Sequence, residues 1–181
     1  MKFRGYDTWI DDWAGMAQAW QPEDGPVRFM SFTFGDKQVT ATLAELAQRG
    51  VVVQGIVDVK NHSSCNAGQQ MLYDLQLAGC RIRLGKGRSV ERVYGASFKS
   101  MKGAMHAKIM MMGLHTGWAG SFNLSASSRT NADFMFEVAG SEPLKEVLAF
   151  FQETWETSEE LVVASERPEV RIRRRVKGPP V

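Results

Sequence analysis

The sequence has few cysteines, little net charge and no long apolar run, and each shortage excludes something. Two cysteines, Cys65 and Cys80, are too few for a disulfide framework and fit a reducing compartment. No apolar stretch approaches the roughly 20 residues of a membrane span. The first residues, Met1 to Asp7, lack the apolar core of a secretory signal. A cytoplasmic location is therefore expected. His62 and Cys65 are too few ligands to make a metal centre. A net charge of +2 gives no overall pull on a polyanion.

Charge distribution says more than charge total. Arg81, Arg83, Lys86, Arg88, Arg92, Lys99, Lys102 and Lys108 face a single acid, Glu91, within one stretch of chain. Such a cluster is either a solvated face or a groove for a polyanion, where displaced counterions drive binding. The end of the chain is basic again, with Arg167, Arg171, Arg173, Arg174, Arg175 and Lys177. We read 1–160 as one domain and 161–181 as a flexible basic extension.

The hydrophobic pattern predicts a short strand over 2–6, then a helix over 7–20 capped by Asp7. A strand follows over 27–34, then a helix that Asp36 caps and Gly50 stops. The apolar run 51–58 reads as a strand covered on both faces. A helix over 67–78, a strand over 80–84, a strand over 133–138 and a helix over 143–159 complete the set. Residues 85–104 show no period and read as a long loop. Strands alternating with helices predict an α/β fold, a mixed and largely parallel sheet with helices on both faces.

One stretch organises the chemistry. His106 and Lys108 share a face with Met110 and Met112 if 105–112 is a strand, and Gly113 to Gly117 reads as a turn. Doubling back near 114–115 would set Lys108 opposite Ser121 and His106 opposite Asn123, roughly 4.5–5.5 Å apart. The methionines 110–112 read as core filling. An imidazole, an ammonium, a hydroxyl and a carboxamide in one cluster make a nucleophile surrounded by donors for a phosphate.

His106-x-Lys108 followed by Gly120-Ser121-x-Asn123 resembles the phospholipase D superfamily, in its branch of small nucleases with one motif. Gly113 stands where the family usually carries Asp, and we read it as a turn residue. The resemblance implies a phospholipase D-like domain and a metal-independent phosphodiesterase with no cofactor. His106 would be the nucleophile, forming a phosphohistidine. Lys108, Ser121 and Asn123 would stabilise the charge on phosphorus. Asp133, or alternatively Glu137, would orient His106 in place of the family's Glu. Because the mechanism uses two such histidines and the chain has one His-x-Lys, the resemblance also implies a homodimer with the His106 pair across its axis. His62 and His115 lack the companion Lys. DNA or RNA is the expected substrate, with the basic residues from Arg81 to Lys102 as its groove. The alternatives are a phospholipid head group as substrate, or a nucleic-acid-binding module that has lost turnover.

Overall fold

The computed structural model describes residues 3–64, 66–87, 89–94 and 97–162, of which 3–4, 61, 63–64, 66, 89–94 and 97–102 are described by their backbone alone. In chain order the elements begin with β1 (Phe3–Arg4), α1 (Tyr6–Ala19), β2 (Val27–Ser31), β3 (Phe34–Gly35), α2 (Lys37–Gln48) and β4 (Val53–Asp58). Then come α3 (Val59–Ser64), α4 (Asn66–Leu77), β5 (Arg81–Gly85), β6 (Ser89–Tyr94), β7 (Ser97–Lys102) and β8 (Ile109–Met112). The chain continues through β9 (Thr116–Gly120), β10 (Leu124–Ser125), β11 (Met135–Val138), α5 (Ser141–Thr157) and β12 (Glu159–Glu160).

The main sheet is mixed, in the order β1-β11-β9-β8-β2-β4-β5-β12. Helical crossovers make β2, β4 and β5 parallel. The hairpin β8–β9 pairs antiparallel, as its short connection requires, and β11 pairs antiparallel with β9. The α/β class inferred from alternating strands and helices is the fold observed.

Alternation along the strands divides the core into two layers. Val27, Phe29, Met110 and Met112 point to the face packed by α1, α2 and α4, where Trp9 and Trp13 stack at 5.9 Å. Met30, Ile56, Ile109 and Met111 point to the other face, under Leu144 and Phe151 of α5. Helices therefore cover both faces, and the methionine triplet fills core space. Asp36 caps α2 as expected, accepting from the backbone of Gln38 and Val39. Its other oxygen takes Arg129, which also reaches Asp7 and Gln38. Asp7 is thus no cap. Gly5 holds that position, and Asp7 lies in the first turn of α1.

Two differences from the sequence pattern stand out. The segment expected to be a long loop contains the ribbon β6–β7, paired from Ser89↔Lys102 to Tyr94↔Ser97. Val90, Val93, Phe98 and Met101 do not alternate along the chain. The ribbon is a two-stranded sheet of its own, apart from the main sheet. The other difference is α3, which follows β4 directly; its polar composition, Val-Lys-Asn-His-Ser-Ser, hid it. Arg88, Cys65 and the basic tail from 163 lie outside the described residues. No helix among the described residues is long and apolar enough to cross a membrane.

Candidate active site

The site forms at one edge of the main sheet because six strands end or begin there. β2 and β4 run toward this edge and finish at Ser31 and Asp58, with β5 ending beside Asp58 at Gly85. β8 runs antiparallel to β2, so the residues that precede it, 106 and 108, lie at the same edge. β9 leaves there into Ser121 and Asn123, and β11 enters there after Asp133. A crevice at the carboxyl ends of parallel strands is the usual place for a ligand in an open α/β sheet.

The register differs by one residue from the sequence expectation. Met112 pairs with Thr116 and Ile109 with Ala119, around a turn of three residues, Gly113 to His115. Gly120 N–H therefore donates to Lys108 O at 3.2 Å, and Ser121 is not opposite Lys108. The turn is short because Gly113 takes φ +55 and its N–H donates to Pro26 O. A Cβ at 113 would lie 2.6 Å from Asp24 O, so the family's usual Asp has no room here. Gly120 is equally constrained. A Cβ there would run into Phe134 O and lie 2.9 Å from Met135 Cα.

Each polar side chain of the motif is anchored to backbone in a way that leaves donors over. Lys108, 5% exposed, spends one of its N–H bonds on His106 O at 2.7 Å. Ser121 Oγ accepts from Phe134 N at 3.0 Å, so its own proton remains to be donated. Asn123 Oδ1 accepts from Thr33 N at 3.1 Å, which fixes the amide and leaves Nδ2 as a donor. Ser128 Oγ holds the backbone N–H of Asn123 at 3.1 Å. With the oxygens of Ser121 and Asn123 each engaged by a backbone N–H, the ammonium, hydroxyl and carboxamide keep donors to offer at the sheet edge, which suits an anion.

His106 is exposed, and its ring lies 4.6 Å from that of Phe32, with Lys108 Nζ 5.3 Å from the same ring. The segment before His106 is held from below. Asp58, fully buried, accepts from Met105 N at 2.8 Å and from Lys60 N at 3.0 Å. Burial lowers the pKa of Lys108, and the charge of Asp133 opposes that shift. Asp133 accepts from Asn131 Nδ2 at 3.2 Å. Among the described residues neither Asp133 nor Glu137 hydrogen-bonds His106, so the orienting contact expected of them is not made within one chain. Asp133 acts on Lys108 instead, through its charge.

A groove of about 210 Å³ opens on His106, with Met105 and Ala107 on one wall and Phe150, Thr154 and Thr157 of α5 on the other. Lys86 sits at its rim, ion-paired with Glu159. Of the other basic residues expected here, Arg81 begins β5, roughly 13 Å along the strand from the site edge. Arg83 donates to Trp155 O at 2.5 Å and lies over that ring, closing the end of α5. Arg92, Lys99 and Lys102 belong to the β6–β7 ribbon, with side chains outside the described residues. The sequence reading missed Asp58, Phe32 and Thr33. A carboxylate closing an otherwise apolar buried strand was the available signal for Asp58; nothing local marked the other two.

Residues 25–155 match the family described as cardiolipin synthase, PLD-like domain. No curated protein sequence is significantly similar to the chain. Among solved structures, Nuc from Salmonella typhimurium, a phospholipase D family member, superposes with a TM-score of 0.67 at 16% identity, over 88% of this chain and 97% of that one. NucT from Helicobacter pylori gives 0.69 at 14% identity, over 88% and 98%. TrmBL2, an archaeal chromatin protein that binds DNA, gives 0.59 at 11% identity, over 88% and 52%.

Proposed function

The chain belongs to the phospholipase D superfamily as a PLD-like domain, and from that premise we propose that it is a metal-independent phosphodiesterase, an endonuclease of DNA or RNA. The observation that carries this is the set of remaining donors on Lys108, Ser121 and Asn123 at the same sheet edge as the exposed imidazole of His106. A phosphodiester resists attack because of its own charge, and fixed donors on the equatorial oxygens relieve that. One such donor is typically worth roughly 3–4 kcal/mol of barrier.

In this reading a ring nitrogen of His106 attacks phosphorus, forming an N–P bond as the bond to the leaving oxygen breaks. The leaving oxygen takes a proton from the second copy's imidazole. Water then attacks phosphorus, the N–P bond breaks, and the proton lost by water returns to the second imidazole. Among the described residues no carboxylate hydrogen-bonds His106, and the sequence has only one His-x-Lys. Both facts support a two-fold homodimer in which the rings act as a pair. Lys86 and the ribbon β6–β7 would guide the polyanion, and the basic residues 163–177 would extend that path.

The test is hydrolysis of labelled single- and double-stranded DNA and RNA in excess chelator, with His106→Ala alongside. The expected result is cleavage by the wild type, none by the variant, and a dimer in sedimentation. An active monomer would remove the paired-imidazole mechanism; activity lost in chelator and restored by a divalent ion would remove the reading. A second reading, transfer or hydrolysis of a phospholipid head group, is favoured by the description of the matched family. Liposomes run beside the nucleic acids separate the two. Binding without cleavage, unaltered in His106→Ala, would instead support a nucleic-acid-binding module.

A further inference from the structure

Next to the phosphate donors, across the segment that joins β2 to α2, lies a second cavity of about 290 Å³ that the chemistry above does not use. Its floor is apolar: Phe34, Val57 and Leu72. Its polar groups are the hydroxyls of Thr33, Ser125 and Ser127, linked at 3.4 and 3.0 Å, and the ring of His62. No lysine or arginine among the described residues lines it. An apolar cleft with a few placed polar groups is the ordinary form of a small-molecule site, and this volume is at the small end of the roughly 300–1,000 Å³ range.

The polar groups identify the kind of occupant. A phosphate would call for cations, and none lines the cavity among the described residues. Burial lowers the pKa of His62, keeping the ring neutral near pH 7, with one nitrogen donating and the other accepting. Its Nδ1 is buried with no hydrogen-bond partner among the described residues. Hydroxyls also donate and accept. These groups match the mixed donor and acceptor edge of an uncharged flat ring. Ala67 and Gly68, small residues in the first turn of α4, leave room for one. The position supplies the connection: Thr33 lines the cavity while its N–H fixes Asn123, and its neighbour Phe32 lies against His106.

We infer that this cavity receives a nucleobase, splayed out of the strand, from a nucleotide next to the phosphate held at His106. The inference rests on the nuclease reading and narrows its substrate class to unpaired nucleic acid. A duplex must first unpair a base to fill the cavity, so single strands are cut faster.

The experiment compares a short oligothymidylate with the same backbone carrying abasic residues, using the full chain in chelator, with bis(4-nitrophenyl) phosphate as a substrate without a base. The base-bearing strand is expected to be cut at least tenfold faster than the abasic one. Ala67→Phe, exposed at the mouth of the cavity, should bring the two rates within about twofold; Ser127→Phe serves if that variant does not fold. Equal rates on both strands in the wild type, or a preference that both variants keep, would overturn the base pocket while leaving the phosphodiesterase standing. No hydrolysis of any substrate would overturn the nuclease reading itself. The pocket is then judged by binding: fluorescence of a 2-aminopurine strand should change on mixing, and Ala67→Phe should abolish that change. An unchanged signal in the wild type refutes it.

Discussion

Asp58→Ala tests how the fold holds His106, the proposed nucleophile. The carboxylate is fully buried and accepts two backbone N–H groups, one from Lys60 and one from Met105, the residue before His106. Hydrogen bonds to a charged group contribute roughly 1.5–3 kcal/mol each, so removing both should cost at least about 3 kcal/mol. That is a large share of a total stability of roughly 5–15 kcal/mol. For a chain of this size it lowers Tm by roughly 6–12 °C. Asp58→Asn offers one acceptor oxygen to two donors and should also be destabilised. The second consequence is kinetic. Once Met105 is released, the backbone carrying His106 must be re-ordered at each turnover. Fixing one residue costs roughly 1–2 kcal/mol, equivalent to a 5–30-fold fall in kcat. Urea unfolding and single-turnover cleavage of a labelled oligonucleotide read the two effects separately. A variant within about 0.5 kcal/mol of wild type, or one destabilised as expected but cleaving at the full rate, would refute the positioning role.

Further outcomes follow from the same geometry. Gly120→Ala drives a methyl group into the Phe134 carbonyl and the β9–β11 pairing. It should lower urea stability by a few kcal/mol, as strained or overpacked sites do, and abolish cleavage; wild-type stability would contradict the packing described. Gly113→Asp, which installs the family's usual residue, should destabilise rather than improve the enzyme, because of the positive φ and the Asp24 carbonyl; a gain in Tm would refute this. Burial lowers the pKa of Lys108, so activity should decline with rising pH before an ordinary lysine titrates. Asp133→Asn removes the opposing charge and should move that decline to still lower pH; a pH–rate profile checks both. For stability the sign is the reverse. Between the lowered pKa and the ordinary one, the folded chain binds fewer protons than the unfolded one, so Lys108 makes stability rise with pH there. Lys108→Met should remove that rise.

Much of the fold was written locally. Periodicity marked the helices from Val39, Leu43 and Leu46 and from Leu144 and Phe151, and the apolar run ending at Asp58 marked a strand covered on both faces. What stayed hidden had no local cause. The β6–β7 ribbon is a sheet of its own, and its residues carry no apolar alternation along the chain that would mark it. The hairpin register turned on one residue of loop length, which depends on how Gly113 meets the backbone of 24–26, far away in sequence.

By itself the sequence determined which chemical groups exist and in what spacing: an imidazole, an ammonium, a hydroxyl and a carboxamide, on strands that its apolar pattern could specify. Only the tertiary structure decided what those groups are free to do. Backbone from Thr33, His106 and Phe134 engages Asn123, Lys108 and Ser121, and that leaves donors over for a ligand. Hydrogen bonds across 90 residues, such as Thr33 to Asn123, exist only after the sheet has closed.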